Sequence, residues 1–201
     1  MTLEPEESTK MPESESPLVV GLGGTRRHGS SSEKALSASL AAAEAAGAQV
    51  IHFSAVDLHL PMYSPDADDG GEQRQLFVDA IRRCDGLIIS SPGYHGGMSG
   101  LIKNAIDYTE DLRDDRRAYL EGRAVGLIVS AYGWQATTTT LSSLRSVVHA
   151  LRGWPTPLGV AINSSQPVFE ENRVIDESVA RNLNIVGRQV VDFARWQRLA
   201  T

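Results

Sequence analysis

From residue 17 onward, short apolar runs alternate with segments of helical periodicity. Five apolar runs predict β-strands, at residues 17–23, 49–53, 86–90, 124–130 and 154–162. A segment with apolar positions at helical spacing follows each run, and these segments predict helices at residues 30–46, 72–83, 101–109, 141–151 and 178–196. We therefore expect one α/β domain in which strands and helices alternate five times.

The strand predicted at 86–90 is apolar throughout its middle, which indicates cover on both faces and a parallel sheet with helices on both sides. Right-handed crossovers and a central first strand favour a doubly wound, five-stranded parallel sheet of order 2-1-3-4-5. Pro155 and Pro157 cannot donate to a ladder, so they confine the start of the fifth strand to an edge. In the helix at 72–83, we expect burial of Leu76, Ala80 and Ile81.

Several polar residues predict where helices begin and end. Ser30 and Glu33 have the spacing of a capping box, and Gly47 suits the left-handed position after the helix. The run of four threonines at 137–140 is interpreted as a polar helix start rather than a functional repeat.

Composition and charge narrow the class of protein. The chain of 201 residues has a formal net charge of -6, which argues against a nucleic-acid binder. Residues 1–16 contain five glutamates and one lysine with few apolar side chains, so we expect an acidic disordered tail before a domain at 17–201. This stretch lacks the pattern of a secretory signal, and no apolar run reaches the roughly 18–20 residues of a membrane span. The single cysteine, Cys84, excludes an internal disulfide, and we expect a cytoplasmic protein.

Ligands of open parallel sheets bind beyond the carboxyl ends of the strands, where the loops after strands one, three and four should meet. The loop at 23–32 is rich in glycine and hydroxyl groups, contains Arg26, and leads into a helix N-terminus. Glycines allow close backbone approach, the guanidinium donates two hydrogen bonds, and the helix start attracts negative charge. The loop therefore predicts a site for a phosphate monoester.

Two commoner phosphate motifs do not fit the loop at 23–32. Gly24 and Gly29 have P-loop spacing, but Ser30 stands where the motif needs lysine, so nucleoside triphosphate hydrolysis is disfavoured. The dinucleotide fingerprint begins correctly at Gly21 and Gly23, but its third glycine position is Arg26.

The other two loops combine glycines with aromatic residues. Residues 91–100 contain four glycines and one proline, with Tyr94 near the centre, and residues 131–134 read Ala-Tyr-Gly-Trp. Such loops suit a planar ring that is stacked on one side and hydrogen-bonded at its edge. Together, the three loops predict a site for a flat heterocycle that carries one phosphate.

At these residues the chain resembles the NADPH-dependent FMN reductases, a family of flavodoxin-like fold that includes quinone, azo and chromate reductases. The resemblance covers about residues 17–165 and rests on three stretches: Gly-Gly-Thr-Arg-Arg-His-Gly-Ser-Ser-Ser at 23–32, Ser-Pro-Gly-Tyr-His-Gly-Gly-Met-Ser-Gly-Leu-Ile-Lys-Asn-Ala-Ile-Asp at 91–107, and Ala-Tyr-Gly-Trp at 131–134. The resemblance implies a flavodoxin-like fold and FMN as cofactor, with NADPH, or alternatively NADH, as the electron donor.

The resemblance also implies roles for individual residues. The FMN phosphate would be held by Thr25, Arg26, Ser30, Ser31 and Ser32. The isoalloxazine would be lined by Pro92, Gly93, Tyr94, His95 and Gly96. The pyrimidine side would be closed by Ala131, Tyr132, Gly133 and Trp134.

Hydride transfer to a flavin places the chemistry on N5 of the cofactor, so no catalytic side chain is required. Accordingly, no G-x-S-x-G elbow is present, and the five histidines show no metal-binding spacing. Cys84 is interpreted as an inert core thiol, and Lys103, Asn104 and Asp107 as structural support for a neighbouring loop.

The reaction predicted is ping-pong transfer from NAD(P)H to FMN and on to free flavin, a quinone or another small acceptor. Two alternatives stay open: a flavodoxin-type electron shuttle and a non-redox nucleotide-binding module. The resemblance further implies a homodimer or homotetramer, for which Tyr108, Leu112 and Tyr119 are candidate interface residues, and it allows a flavin-dependent monooxygenase as partner. Residues 113–117 are expected to be solvated, and the candidates for a 2′-phosphate contact are Arg26, Arg27 and Arg113.

Overall fold

The computed structural model describes residues 16–27, 29–67 and 71–200. The predicted acidic tail, except for Ser16, and His28 of the first glycine-rich loop lie outside the described residues. The elements follow the predicted alternation: β1 (Leu18–Gly23), α1 (Ser31–Ala45), β2 (Gln49–Phe53), α2 (Gly71–Arg83), β3 (Gly86–Pro92), α3 (Gly100–Asp107), a 3-10 turn (Tyr108–Leu112), β4 (Ala124–Ala131), α4 (Trp134–Ala150), β5 (Trp154–Pro155), β6 (Val160–Asn163), β7 (Phe169–Glu170), β8 (Arg173–Val174) and α5 (Glu177–Ala200).

The main sheet is parallel and has the order β2-β1-β3-β4-β5, with β6 also paired to β4. This confirms the predicted doubly wound α/β fold of order 2-1-3-4-5. The central strands β1, β3 and β4 are apolar and buried on both sides, which explains why their sequences are continuous apolar runs.

Each face of the sheet carries its own apolar core. On one face, α2, α3 and α4 pack on Val20, Leu87 and Leu127. On the other face, α1 and α5 pack on Val19 and Ile88. Helices on both faces leave only the two ends of the strands open for ligands.

The fifth predicted strand is broken into two pieces that both pair with β4. Between Pro155 and Val160 the outer strand advances five residues, while β4 advances three from Val125 to Ile128, so two residues loop out. The break contains Pro157, which cannot donate to the ladder, and both pieces lie at the edge as predicted.

Some burial predictions were wrong. Leu76 is 54% exposed, whereas Ala80 and Ile81 are buried together with Phe77 and Val78 on the face of α2 that meets the sheet. Tyr108 and Leu112 are buried in the core, so neither side chain is available to an interface between subunits. The hairpin of β7 and β8 was not predicted, because its two-residue strands carry no alternating pattern.

Candidate functional site

The three glycine-containing loops lie together at the carboxyl edge of the sheet; we call residues 24–30 the first loop, 93–99 the second loop and 132–133 the third loop. A Cβ atom added at Gly24 would lie 2.7 Å from the Ser90 carbonyl oxygen and 2.9 Å from Cδ of Pro92. One added at Gly93 would lie 3.1 Å from Cβ of Ala131. The first loop therefore packs on the end of β3, which leads into the second loop, and the second loop packs on the end of β4, which leads into the third.

The first loop presents its basic side chains to solvent. Arg26 and Arg27 are exposed. Thr25 is half-buried, and its Oγ1 accepts a 3.2 Å hydrogen bond from the Arg27 N–H. Gly29 has φ 65°, a left-handed conformation that lets the chain turn into α1. The loop therefore combines two exposed cationic side chains with a hydroxyl that orders the turn.

Three successive serines form the start of α1. Oγ of Ser30 accepts from the Glu33 N–H at 3.2 Å and also lies 3.2 Å from Oγ of Ser32, while Ser31 is half-buried. The N–H groups of a first helical turn lack carbonyl partners and carry the positive end of the helix dipole. Hydroxyls and free N–H groups at this position make an anion site, and a phosphate group matches it.

The start of α1 is hydrogen-bonded to the sheet, and its acidic residue is paired with a histidine of a neighbouring strand. Ser90 Oγ, on β3, donates a 2.7 Å hydrogen bond to the Ser32 carbonyl. Glu33 does not complete the predicted capping box, because its Oε1 pairs with Nε2 of His52 at 2.7 Å. Its other carboxylate oxygen has no hydrogen-bond partner within the described part of the chain. The pair with His52 turns the Glu33 side chain away from the Ser30 N–H.

The second loop contains a tight two-residue turn. Tyr94 and Gly97 exchange two backbone hydrogen bonds, each 2.9 Å long, around His95 and Gly96. His95 has φ 53° and Gly96 has φ 83°, the left-handed pair that is typical of a type I′ turn. The side chains of Tyr94 and His95 are exposed at this tip.

The base of the second loop is anchored by buried hydroxyls. Ser91 Oγ accepts from the Ser99 N–H at 3.0 Å, and Ser99 Oγ caps α3 by accepting from Ile102 N–H at 3.2 Å. The Gly93 N–H continues the ladder with the Ser130 carbonyl at 2.8 Å. The exposed tip therefore stands on a fixed base.

The third loop is held by a residue from β6 that was not predicted. The Gly133 N–H donates to Oδ1 of Asn163 at 3.0 Å, and the same oxygen accepts from the backbone and hydroxyl of Ser165. Gly133 has φ 123°, which residues with a side chain rarely adopt. Tyr132 and Trp134, on either side of it, are 86% and 60% exposed.

The second loop, the third loop and the first turns of α4 border an open cavity of about 590 Å³. A cavity of this size is typical of small-molecule sites. It is lined by His95, Gly96, Tyr132, Gly133, Trp134, Gln135, Ala136 and Thr139. Aromatic side chains and glycine backbone make up much of this lining, which suits a planar ring.

The predicted site residues thus fall into two parts of one edge. Thr25, Arg26, Ser30, Ser31 and Ser32 gather at the start of α1, whereas Tyr94, His95, Gly96, Tyr132, Gly133 and Trp134 border or neighbour the cavity. Pro92 and Ala131 are buried strand ends, so they contribute shape through the backbone, as does Gly93. No signal in the sequence indicated three further lining residues in the first turns of α4: Gln135, Ala136 and Thr139. Asn163 was also not predicted, because its role depends on a long-range contact.

The polar residues of α3 make structural contacts. Lys103 Nζ pairs with Asp107 one turn later at 2.6 Å. Asn104 is buried, accepts from the Tyr63 N–H at 2.8 Å, and donates to the Pro61 carbonyl at 2.8 Å. These bonds fix the segment after β2, in keeping with the structural interpretation of this motif.

The other reactive candidates lie away from this edge. Cys84 is fully buried, and burial raises the pKa of its thiol to about 11, so it stays protonated and unreactive. Arg113, a candidate for 2′-phosphate recognition, pairs with Asp114 at 3.0 Å. Among the residues that the structure describes, no three His, Cys, Asp or Glu side chains cluster as a metal site. None of the described helices has the length and apolar character needed to cross a bilayer.

Comparison with known proteins places this geometry in a family. The model of the NADPH-dependent FMN reductases matches residues 17–167. The FMN-dependent NADPH-azoreductases of Staphylococcus haemolyticus and of Staphylococcus aureus strain USA300 are 30% and 32% identical to the chain over 102 residues. These matches span 51% of this chain and 50% of each relative, so the chain matches about half the length of these relatives.

Solved structures share the fold across nearly the whole chain. The flavoenzyme NAD(P)H:(acceptor) oxidoreductase FerB of Paracoccus denitrificans superposes with a TM-score of 0.74 at 21% identity, covering 90% of this chain and 98% of that one. An NADH:FMN oxidoreductase superposes with a TM-score of 0.65 at 23% identity, covering 90% and 89% of the two chains. The flavodoxin-like fold and the match to the family model agree, and the chain belongs to the NADPH-dependent FMN reductase family.

Proposed function

We propose that the protein binds FMN at the carboxyl edge of the sheet and catalyses ping-pong electron transfer from NAD(P)H to a small acceptor. The observation that carries this proposal is the pairing of an anion site at the start of α1 with an aromatic and glycine-lined cavity on the same edge. FMN is a planar heterocycle that carries one phosphate, which matches the two parts of the edge.

The anion site would hold the phosphate of FMN. Hydroxyls of Ser30 and Ser32, 3.2 Å apart, and the first-turn N–H groups of α1 supply the donors. Arg26 is exposed and would fold onto the phosphate from the solvent side, with Thr25 and Ser31 as further donors. Glu33 is the acidic residue in the first turn of α1, and its Oε1 is paired with His52.

The second and third loops would hold the ring. The backbone from Pro92 to Gly96 forms one wall and the backbone around Gly133 the other, and glycines allow both walls to approach a flat ligand. FMN, when bound, accepts two electrons from a reduced nicotinamide and delivers them to an oxidised acceptor. The chain itself binds, orients and shields the ring.

The exposed aromatic residues would form the entry to the ring. Tyr94, Tyr132 and Trp134 are all more than half exposed beside the cavity. Exposed aromatic surface next to a ligand cavity favours stacking of a second planar group, such as a nicotinamide or an aromatic acceptor. The site therefore suits two ligands that bind in turn.

Two other functions are less well supported. A flavodoxin-type shuttle docks a redox partner, and such shuttles are usually acidic around the flavin, but none of the described residues that line the cavity carries a carboxylate. A non-redox nucleotide-binding module would need no stacking surface for a second ligand, whereas exposed aromatic residues lie beside the cavity of this protein.

Family membership supports the finer assignments. NADPH is favoured by the family name, and the exposed Arg27 is available for a 2′-phosphate while Arg26 would contact the FMN phosphate. Similarity to proteins named azoreductase and NAD(P)H:(acceptor) oxidoreductase supports a small acceptor such as an azo compound, a quinone or free flavin. A homodimer or homotetramer, a cytoplasmic location and service to a monooxygenase are parts of the same proposal.

Two titrations test the proposed binding mode. FMN and riboflavin differ only in the phosphate, so fluorescence titration should give FMN an affinity at least tenfold higher than that of riboflavin. The FMN-loaded protein should then oxidise NADPH in the presence of a quinone. Equal affinity for the two flavins would contradict the phosphate site, and tight FMN binding without NADPH oxidation would favour the shuttle.

A further inference from the structure

A second cleft, of about 530 Å³, lies at the amino end of the sheet, opposite the proposed flavin site. It is bounded by the end of α2, the starts of β3 and β4, the turn at 115–117 and the last turns of α5. Five arginines and three acidic residues line it: Arg82, Arg116, Arg117, Arg123, Arg198, Asp85, Asp115 and Glu121. We call this region the arginine cleft.

Every acidic side chain of the arginine cleft pairs with an arginine. Asp115 pairs with Arg82 at 2.8 Å, and Asp85 pairs with Arg198 at 2.7 Å. Glu121 pairs at 3.6 Å with Arg152, which does not line the cleft. The remaining three cations, Arg116, Arg117 and Arg123, have no carboxylate partner among residues 16–27, 29–67 and 71–200.

Arg123 is a fixed, buried charge. It is 1% exposed and donates to the carbonyls of Arg82 at 2.8 Å, Tyr119 at 3.1 Å and Cys84 at 3.2 Å. Carbonyls at the end of α2 carry the negative end of the helix dipole, so they stabilise this guanidinium. Arg123 is thus part of the scaffold.

Arg117 is held less firmly beside it. Its Nη1 donates to the same Cys84 carbonyl at 3.2 Å, and its other bonds, to Glu121 and Gly122 carbonyls, are 3.3 and 3.5 Å long. Burial and then the charge of Arg123 lower the pKa of Arg117. Two guanidiniums around one neutral acceptor repel each other, and an anion would relieve that repulsion. Arg116 adds an exposed third charge.

We propose that the arginine cleft binds a small anion that carries at least two phosphate groups, with Arg116 and Arg117 as its ligands. Guanidinium groups bind phosphate oxygens with two parallel hydrogen bonds. A ligand with several negative charges would best neutralise the three arginines that pair with no carboxylate in the described residues. The cleft volume admits a ligand larger than a single phosphate. This site is separate from the flavin site because the two lie at opposite ends of the strands.

Calorimetric titration with inorganic pyrophosphate tests this proposal. The full chain is saturated with FMN beforehand, and the ionic strength is kept constant. We expect saturable binding at one site, weakened at least tenfold by Arg117→Gln and by Arg116→Gln. Arg113→Gln is the matched control, because Arg113 is exposed, pairs with Asp114 and lies outside the cleft. It should bind pyrophosphate as the unmodified chain does.

Arg116→Gln changes an exposed side chain that makes no hydrogen bond within the described part of the chain, so it keeps the test decisive if Arg117→Gln does not fold. Absence of saturable binding, or binding unchanged by Arg116→Gln, would overturn the proposal. Loss of pyrophosphate binding in Arg26→Ala would also overturn it, because it would assign the anion to the first loop.

Discussion

The hydroxyl oxygens of Ser30 and Ser32 lie 3.2 Å apart at the first turn of α1, and Ser30 also caps that helix. Ser30 thus serves both the fold and the proposed phosphate site, whereas the Ser32 side chain has no capping bond. Removal of either hydroxyl should therefore weaken FMN binding, but only removal of the Ser30 hydroxyl should also lower the stability of the helix.

Ser32→Ala should weaken FMN binding roughly 10- to 150-fold, because one hydrogen bond to a charged group contributes roughly 1.5–3 kcal/mol. Ser30→Ala should lose the same contact and also about 1 kcal/mol of stability from the cap. FMN titration and urea unfolding measure the two effects. Ser37→Ala, an exposed serine of the same helix, is the control and should change neither quantity.

Gly24→Ala should push the first loop away from the end of β3, which leads into the second loop. The new Cβ would meet the Ser90 carbonyl at 2.7 Å and Pro92 Cδ at 2.9 Å, and overpacking of this kind costs roughly 1–3 kcal/mol. We expect a lower free energy of unfolding and weaker FMN binding. Gly100→Ala is the matched control, since no atom lies within 4 Å of its added Cβ. Equal behaviour of the two variants would show that the loops do not depend on close approach at Gly24.

Asn163→Ala should release the third loop, because Oδ1 of Asn163 accepts from the Gly133 N–H and from Ser165. We expect FMN affinity to fall roughly five- to 30-fold, because one or two hydrogen bonds worth about 1 kcal/mol each are lost. Hydrogen exchange at Gly133 should become faster in the variant. Gln166→Ala, exposed in the same turn, should leave both measurements unchanged.

Cys84 should make stability fall at alkaline pH. Burial raises the pKa of its thiol from 9.0 to about 11, so the thiol favours the folded state fully below pH 9 and loses this effect as the pH rises through 11. Between pH 8 and 10.5 this one group should remove about 2 kcal/mol from the free energy of unfolding. Urea unfolding of the unmodified chain and of Cys84→Ala isolates the contribution of the thiol. Parallel pH profiles of the free energy of unfolding for the two proteins would contradict a raised pKa at Cys84.

The sheet order was predictable because each central strand is a continuous apolar run and each crossover carries a helix. The face of α2 was harder: Leu76 was expected inside, but Phe77 and Val78 take the buried positions. A short helix with apolar residues at three successive positions fits two faces, and only packing on the sheet selects one. Tyr108 and Leu112 were expected at an interface but lie in the core, because residue type alone does not distinguish a core residue from an interface residue.

The capped start of α1, where we propose that the phosphate binds, was predictable from local signals, since the cap, the glycines and the arginine are adjacent in sequence. Asn163 was not, because its contact with Gly133 joins the end of β6 to the end of β4. Likewise, Glu33 pairs with His52 on a neighbouring strand instead of returning to Ser30, which a local capping pattern does not anticipate.

The most direct test of the central claim is anaerobic stopped-flow mixing of the FMN-loaded protein with NADPH, and then with NADH, while flavin absorbance is followed. We predict rapid two-electron bleaching that saturates with nicotinamide concentration and is faster with NADPH. Bound FMN that neither nicotinamide bleaches would contradict the proposed reductase activity.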